Sequence, residues 1–325
     1  MKKLGIGIMG CAGIAQRLMI PAILSLPDLF ELKAVASRSK EKAESFGDLF
    51  GITAVTGYNE LLEREDIDVI YMPLPAGLHE EWVIRSLQAG KHVLAEKSLA
   101  LNYGSACRMA ALAFEKGLVL MESFMFCYHA QHQWAKDQLS GDQIGDIRLF
   151  RSQFGFPPLD KSNFRYHKNL GGGALLDAGA YTVKAAQLFL GNDLKLLNAV
   201  LYIDQENTVD IYGNCTLISQ KGIVAQLSFG FDNFYQCNYE FWGSKGRLKA
   251  EKAFTPKPGE KPVMLLEKQG ASEKIIMEPD DHFAGILKEF YTSVVTRQHQ
   301  LHIDALLAQS KLLSDIQDQS IKIMI

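Results

Sequence analysis

Gly7-Ile8-Met9-Gly10-Cys11-Ala12-Gly13-Ile14-Ala15 is the stretch that decides the fold. The apolar run Leu4 to Met9 reads as a β-strand, and the amphipathic run after Ala15 reads as a helix. A glycine-rich turn between strand and helix sets backbone N–H groups and the positive end of a helix dipole where a pyrophosphate can sit. Ala12 stands where the G-x-G-x-x-G/A pattern has its second glycine, so the turn gains its meaning from its surroundings. The residues expected to face a dinucleotide here are Gly7, Gly10, Cys11, Ala12, Gly13, Ile14 and Ala15.

Outward from that turn, short β-branched runs alternate with amphipathic stretches as far as Phe124. The predicted strands are Leu4 to Met9, Glu31 to Ala36, Ile52 to Val55, Val69 to Leu74, His92 to Ala95 and Leu118 to Met121. Helices are predicted over Ala76 to Ala89 and Tyr103 to Lys116, with Gly90 and Gly117 where a C-cap is wanted. This is the pattern of βα units building a doubly wound parallel sheet. At the end of the second strand a carboxylate would accept from the ribose of NAD, whereas an Arg accommodates the NADP phosphate. The chain has Ser37-Arg38-Ser39-Lys40 and no acid before Glu41, which predicts NADP(H) over NAD(H) with Ser37, Arg38 and Ser39 at its phosphate; solvated charges at a helix start explain the same residues.

After Phe124 the alternation stops. A helix over Gln131 to Leu139 leads into period-2 runs at Ile147 to Phe154, Asn198 to Ile203, Asp210 to Ser219, Ile223 to Phe231 and Tyr235 to Trp242. One helix, Ala174 to Leu190, interrupts them; Pro256, Pro258, Gly259 and Pro262 mark a loop, and helices close the chain from Asp281 to about Ile321. The fold class expected is an α/β Rossmann domain over residues 1–123, binding NADP, then an α+β domain with a large, mostly antiparallel sheet over 124–325. The second would bind substrate, and its sheet, if helices cover only one face, would bury the other against further copies of the chain, with Leu217, Ala225, Leu227 and Phe229 as interface or core residues.

Composition narrows the partners. With 325 residues, 47% of them hydrophobic, the chain exceeds one compact core. Its net charge of -3 and lack of Lys or Arg runs argue against nucleic acid and anionic membranes. Cys11, Cys107, Cys127, Cys215 and Cys237 are odd in number, widely spaced and without C-x-x-C, as expected of reduced thiols in a cytoplasmic protein. The opening Met1-Lys2-Lys3 resembles a signal peptide, but Gly5, Gly7, Gly10 and Gly13 interrupt its apolar core and favour a strand. No apolar run reaches the roughly 18 residues of a membrane helix.

Three segments carry a resemblance: Leu74-Pro75-Ala76-Gly77-Leu78-His79, Ala89-Gly90-Lys91-His92-Val93-Leu94-Ala95-Glu96-Lys97, and Gly171-Gly172-Gly173-Ala174-Leu175-Leu176-Asp177-Ala178-Gly179-Ala180-Tyr181. With the Phe241 to Leu248 turn, they resemble the Gfo/Idh/MocA oxidoreductase family over nearly the whole chain. Gly10-Cys11-Ala12, Met121 to Phe126 and His129-Ala130-Gln131-His132 are most similar to its nucleotide-sugar 3-ketoreductases of deoxysugar biosynthesis. The resemblance implies that Lys97 reaches the active site, that Leu74, Pro75, His79, Glu96 and Arg165 lie near the cofactor, and that the antiparallel sheet pairs into a homodimer or homotetramer. Position 98 is Ser where the family has Pro, so the backbone of Lys97 is less restrained.

Hydride transfer to a ketone leaves negative charge on the carbonyl oxygen, which needs a cation and then a proton. Lys97 follows a parallel strand at its carboxyl end, the ligand-binding edge of such sheets, and suits the first need. Tyr181, four residues after Asp177 and expected on the same helix face, suits the second once a nearby ammonium lowers its pKa. Asp177 would orient one of them or bind a sugar hydroxyl; the donor is either Lys97 or Tyr181. Gly171-Gly172-Gly173 lets backbone approach nicotinamide or substrate, or forms a loose entry loop. His129 and His132, at i and i+3, lack the further ligands a metal needs, and no metal is expected. The reading is an NADPH-dependent reductase of a keto-sugar, free or nucleotide-linked. Alternatives are an NADP-dependent dehydrogenase of a free sugar or trans-dihydrodiol, and a non-catalytic NADP-binding sensor.

Overall fold

A computed structural model describes residues 2–298 and 300–325. Met1, which opens the signal-like segment, and His299, inside the closing helical stretch, lie outside the described residues. The chain divides into two compact units, one holding the residues up to Ser123 together with Phe283–Leu307, the other Phe124–His282 and Ala308–Ile325.

In the first unit a six-stranded sheet runs in the order β3 (Thr53–Thr56), β2 (Phe30–Ser37), β1 (Leu4–Met9), β4 (Val69–Met72), β5 (His92–Glu96), β6 (Leu120–Ser123), with every pairing parallel. β1 and β4 are buried along their whole length, because helices cover both faces of such a sheet. The first helix opens as a π turn, Ala15–Met19, before α1 (Ile20–Leu24). Local sequence sets the other helix ends: Ser39 caps α2 (Lys40–Phe50) and Asn102 caps α5 (Tyr103–Lys116) by accepting backbone N–H bonds. α3 (Tyr58–Leu62) is short, and α4 spans His79–Gln88 behind a 3-10 turn over Ala76–Leu78, where one continuous helix was expected. Gly90 and Gly117 follow α4 and α5 at φ 75° and 64°, the left-handed conformation a helix C-cap needs. Ile303 and Leu306, from α9 (Gln300–Gln319), are buried in the core of this unit.

The second unit holds a nine-stranded sheet in the order β14-β13-β12-β11-β7-β10-β9-β8-β15. Its strands are β7 (Ile147–Gly155), β8 (Lys195–Ile203), β9 (Asp210–Ile218), β10 (Val224–Gly230), β11 (Gln236–Gly243), β12 (Gly246–Ala250), β13 (Val263–Lys268), β14 (Ala271–Ile276) and β15 (Ile321–Met324). The β10–β7 and β15–β8 pairings are parallel and the rest antiparallel. β12 to β15 were not expected. α6 (Ala130–Ser140) precedes the sheet, and α7 (Ala180–Leu190) follows a second π turn, Leu175–Gly179. Leu217, Ala225, Leu227 and Phe229 are buried, and Gly179 fits only because it lacks a Cβ, which would stand 3.1 Å from the Phe229 ring. Those four residues therefore belong to the core of the unit and not to an exposed interface. No helix among the described residues is long and apolar enough to cross a membrane.

Candidate active site

Because all six strands of the first sheet are parallel, their carboxyl ends share one edge, with the strand order reversing between β1 and β4. Cys11 to Ala15 follow β1, Ser37 closes β2, Leu74 and Pro75 follow β4, Glu96 ends β5 and Lys97 follows it. Gly10 has φ 119°, and a Cβ on it would meet the Leu74 side chain at 2.8 Å, so glycine lets the turn after β1 close against the loop after β4. A Cβ at Gly13 would meet nothing nearer than the Arg17 guanidinium at 3.5 Å, which leaves that side of the turn open. Gly7 differs: it is buried within β1, and its missing side chain makes room for Ile67.

At the end of β2 the two serines serve the backbone. Ser37 Oγ accepts the Ser39 N–H at 3.2 Å, and Ser39 Oγ accepts the Lys42 N–H at 3.3 Å. Arg38 stays exposed. Cys11 Sγ donates to the Lys42 carbonyl at 3.5 Å, and burial raises its pKa against the pull of Ser37 and Lys42.

His79, expected near the cofactor, is fully buried. Its Nε2 lies 2.8 Å from the Leu74 carbonyl and its Nδ1 3.1 Å from the carbonyls of both Ser98 and Leu99. Burial lowers its pKa against those three carbonyls, which favour the charged ring. Both ring nitrogens thus face carbonyls of the two loops, and the neutral ring, with a single N–H, donates to one side according to its tautomer. Glu96 is also buried, its Oε1 accepting the Tyr71 hydroxyl at 2.8 Å; burial raises its pKa while Tyr71 and Lys97 lower it. Lys97 is half-buried, and the Lys97-Ser98 peptide is cis.

In the second unit, Asp177 lies inside the π turn before α7 and Tyr181 at the start of α7, so one extra residue per turn separates them from simple α-helical spacing. Asp177 receives Arg165 through Nε at 2.5 Å and Nη2 at 3.3 Å. Burial works against the guanidinium charge, but Asp177 prevails and holds the Arg165 pKa above its ordinary value. Tyr181 is buried in an aromatic cage, with the rings of Phe124, Phe126, Phe154 and Phe254 at 5.7, 5.7, 5.1 and 5.6 Å. Its hydroxyl donates to Met125 Sδ at 3.9 Å. Phe124 and Phe126 are therefore cage walls, a role their spacing did not announce.

Gly171-Gly172-Gly173 has a third explanation beyond ligand approach or looseness. A Cβ at Gly172 would stand 2.5 Å from the Arg165 carbonyl, and one at Gly173, whose φ is 117°, 2.3 Å from Asp210 Oδ1. Asp210 then accepts the Leu175 N–H at 2.6 Å, anchoring the start of the segment that carries Asp177 and Tyr181. Tyr71, Glu122, Asp210 and Phe254 were missed because each acts through a partner far away in sequence. Among the described residues no group of three or more His, Cys, Asp or Glu side chains is arranged to hold a metal ion.

Residues 4–124 match the GFO/IDH/MocA oxidoreductase family with an NAD-binding Rossmann fold, and residues 132–249 match the GFO/IDH/MocA C-terminal domain. The dTDP-3,4-didehydro-2,6-dideoxy-alpha-D-glucose 3-reductase of Actinomadura kijaniata is 45% identical over 90% of this chain and 88% of its own. The reductase of the same description from Streptomyces antibioticus is 40% identical over 93% of each. A crystal structure of a 3-ketoreductase from Actinomadura kijaniata in complex with NADP and TDP-benzene superposes with a TM-score of 0.97 and 42% identity, covering 100% of both chains. On the strength of both domains and of near full-length identity, the chain belongs to the GFO/IDH/MocA family of oxidoreductases.

Proposed function

We propose that this protein reduces the ketone of a nucleotide-linked keto-sugar with NADPH. The observation that carries the reading is the full-length likeness to a 3-ketoreductase crystallised with NADP and TDP-benzene. The chain's own residues fit the dinucleotide. The turn after β1 is open at Gly13, and Arg38 is an exposed guanidinium beside a β2 terminus without a carboxylate.

When bound, NADPH supplies the hydride. Lys97 presents an ammonium at the carboxyl end of β5 and polarises the carbonyl oxygen as a point charge. Tyr181, held by its four phenylalanines, delivers the proton. Asp177 acts through Arg165, fixing a cation beside the start of α7. Ser37, Arg38, Gly10, Cys11, Ala12, Gly13, Ile14, Ala15, Leu74 and Pro75 form the cofactor edge. Cations of the second unit that could meet a substrate diphosphate are Lys161, Arg165, Lys168 and Lys184; of these, Arg165 is engaged by Asp177, and Lys184 Nζ lies over the Phe124 ring at 5.5 Å.

The protein is read as a cytoplasmic homo-oligomer: its odd, scattered cysteines suit a reducing compartment, and the sheet of the second unit exposes Trp242 at 56% on a face open to a second copy. The test titrates the protein with NADPH and NADH in parallel by nicotinamide fluorescence, then adds free and dTDP-linked keto-sugars. Tighter NADPH binding, followed by its oxidation with the dTDP-linked substrate, supports the reading. Turnover only with a free sugar or trans-dihydrodiol, in the oxidative direction, would favour the dehydrogenase alternative. Binding without turnover would favour a sensor.

A further inference from the structure

The segment Lys97-Ser98-Leu99-Ala100 belongs to no helix or strand, yet Ser98 and Leu99 are 2% and 0% exposed. Buried backbone outside regular structure must find its hydrogen bonds elsewhere. Two side chains supply them. Glu122, on the neighbouring strand β6, accepts the Leu99 N–H through Oε1 at 2.8 Å. From the other side, His79 sets Nδ1 3.1 Å from the Ser98 and Leu99 carbonyls, while its Nε2 reaches the Leu74 carbonyl at 2.8 Å. Immediately before Lys97, the β5 residue Glu96 is fixed by Tyr71. Lys97 is thus bracketed on both sides, by Tyr71 on Glu96 before it and by His79 and Glu122 on Ser98 and Leu99 after it.

We infer that Glu122 and His79 are positioning residues for Lys97, gripping the three backbone groups that follow it in a chain where Ser98 gives that backbone no restraint of its own. The inference rests on the proposed role of Lys97 in polarising the carbonyl. A side chain that must stand within hydrogen-bond reach of a reacting oxygen loses rate steeply when its backbone shifts by about an ångström, on the order of 100-fold. His79 stands between the Lys97 loop and the Leu74 loop, with Nδ1 facing the Ser98 and Leu99 carbonyls and Nε2 the Leu74 carbonyl; the neutral ring grips the Lys97 loop in the tautomer that carries its proton on Nδ1.

The experiment compares Glu122→Ala, Glu122→Gln and the double variant Glu122→Ala/Ser98→Pro with the unaltered full chain. The first readout is hydrogen exchange at the Leu99 amide, which needs no turnover. Exchange should accelerate by at least about tenfold in Glu122→Ala and return in Glu122→Gln, whose amide oxygen still accepts the bond. The second readout is kinetic. In Glu122→Ala, kcat should fall by roughly 10- to 100-fold with the Kd for NADPH changed less than about threefold. Glu122→Gln should restore most of kcat, and Ser98→Pro should restore part of it, because proline restricts the residue before it. Unchanged Leu99 exchange in Glu122→Ala would overturn the clamp. So would a kcat loss that neither Glu122→Gln nor Ser98→Pro relieves. His79→Gln should give the same kinetic pattern; wild-type kcat in it would remove His79 from the clamp. If the unaltered protein oxidised NADPH with no keto-sugar, the functional reading would fail, and Leu99 exchange would still decide the clamp.

Discussion

Arg165 grips Asp177 with both ends of its guanidinium, Nε to Oδ2 at 2.5 Å and Nη2 to Oδ1 at 3.3 Å. Their side chains are only 26% and 11% exposed, so the pair stands largely out of water. Removing one partner leaves a poorly solvated charge; removing both does not. Asp177→Ala should therefore cost about 2–4 kcal/mol of unfolding free energy in urea titrations. The double variant Arg165→Met/Asp177→Leu should recover most of that stability and none of the activity. Full activity in the double variant would show the pair to be structural.

Gly173 faces Asp210 too closely for any side chain, at φ 117°. Gly173→Ala combines a strained backbone with displacement of the carboxylate that anchors Leu175. It should destabilise by about 2–4 kcal/mol and lower kcat, since Asp177 and Tyr181 lie in the anchored segment. Gly191→Ala is the control: φ there is 94° with nothing within 4 Å, so only the backbone strain of about 1–2 kcal/mol should remain.

His129, His132 and His282 form a buried group in the second unit, with ring centroids of His129 and His282 5.8 Å apart. His132 Nε2 donates to the Ala253 carbonyl at 3.1 Å, leaving Nδ1 to accept the Tyr239 hydroxyl at 3.0 Å, an arrangement that requires the neutral ring. Burial, then His129, drives His132 down to about 3; His282 falls to about 3 for the same two reasons, opposed by Asp280. A histidine lowered on folding binds its proton more readily when unfolded. Its stability contribution is complete above about pH 6.5 and is lost as pH falls toward 3. Asp210 runs the other way: burial raises it to about 6, so its contribution weakens as pH rises from about 4 to 6. Two histidines give a rise of about 2.7 kcal/mol per pH unit in that window and Asp210 offsets about 1.4, so stability should climb with pH. Urea midpoints between pH 4 and 6 check this, and His132→Gln should flatten the slope by about 1.4 kcal/mol per unit. An identical slope in the variant would contradict the assignment.

Arg38 is exposed and electrostatically coupled to Tyr58. If it meets the 2'-phosphate, Arg38→Ala should weaken NADPH binding by roughly 10- to 100-fold, as expected for a lost charge-assisted hydrogen bond, and leave NADH binding nearly unchanged. Parallel fluorescence titrations would read the ratio. Equal weakening of both nucleotides would mean that Arg38 serves the fold or the adenine.

The first unit was legible because its signals are local. β1 and β4 are wholly apolar or aromatic runs, and Gly90 and Gly117 mark helix ends by a conformation that glycine adopts cheaply. The second unit was legible only where strands were long. β15, Ile321–Met324, pairs in parallel with β8, more than a hundred residues earlier, and lies past the point, about Ile321, where the closing helices were expected to end. Nothing in four residues shows a partner that distant. The return of Phe283–Leu307 to the first unit was hidden likewise, since periodicity reveals that a helix has a buried face and not what covers it. Among the residues proposed for catalysis, Lys97, Asp177 and Tyr181 stood out by residue type and resemblance. The supports did not: Asp210 sits 37 residues beyond Gly173, and the His79 bonds are to carbonyls, which any sequence has.

The central claim is direct hydride transfer from NADPH to the ketone carbon of a nucleotide-linked sugar. It is tested by giving the protein NADPH deuterated at the transferable position of nicotinamide C4 and a dTDP-linked keto-sugar, and locating the label by mass spectrometry and NMR. The account predicts one deuterium on the former carbonyl carbon, with Lys97→Ala slowing its appearance by at least about 100-fold. Product lacking the label under both C4 stereoisomers of the cofactor, or no product while NADPH is bound, would contradict it.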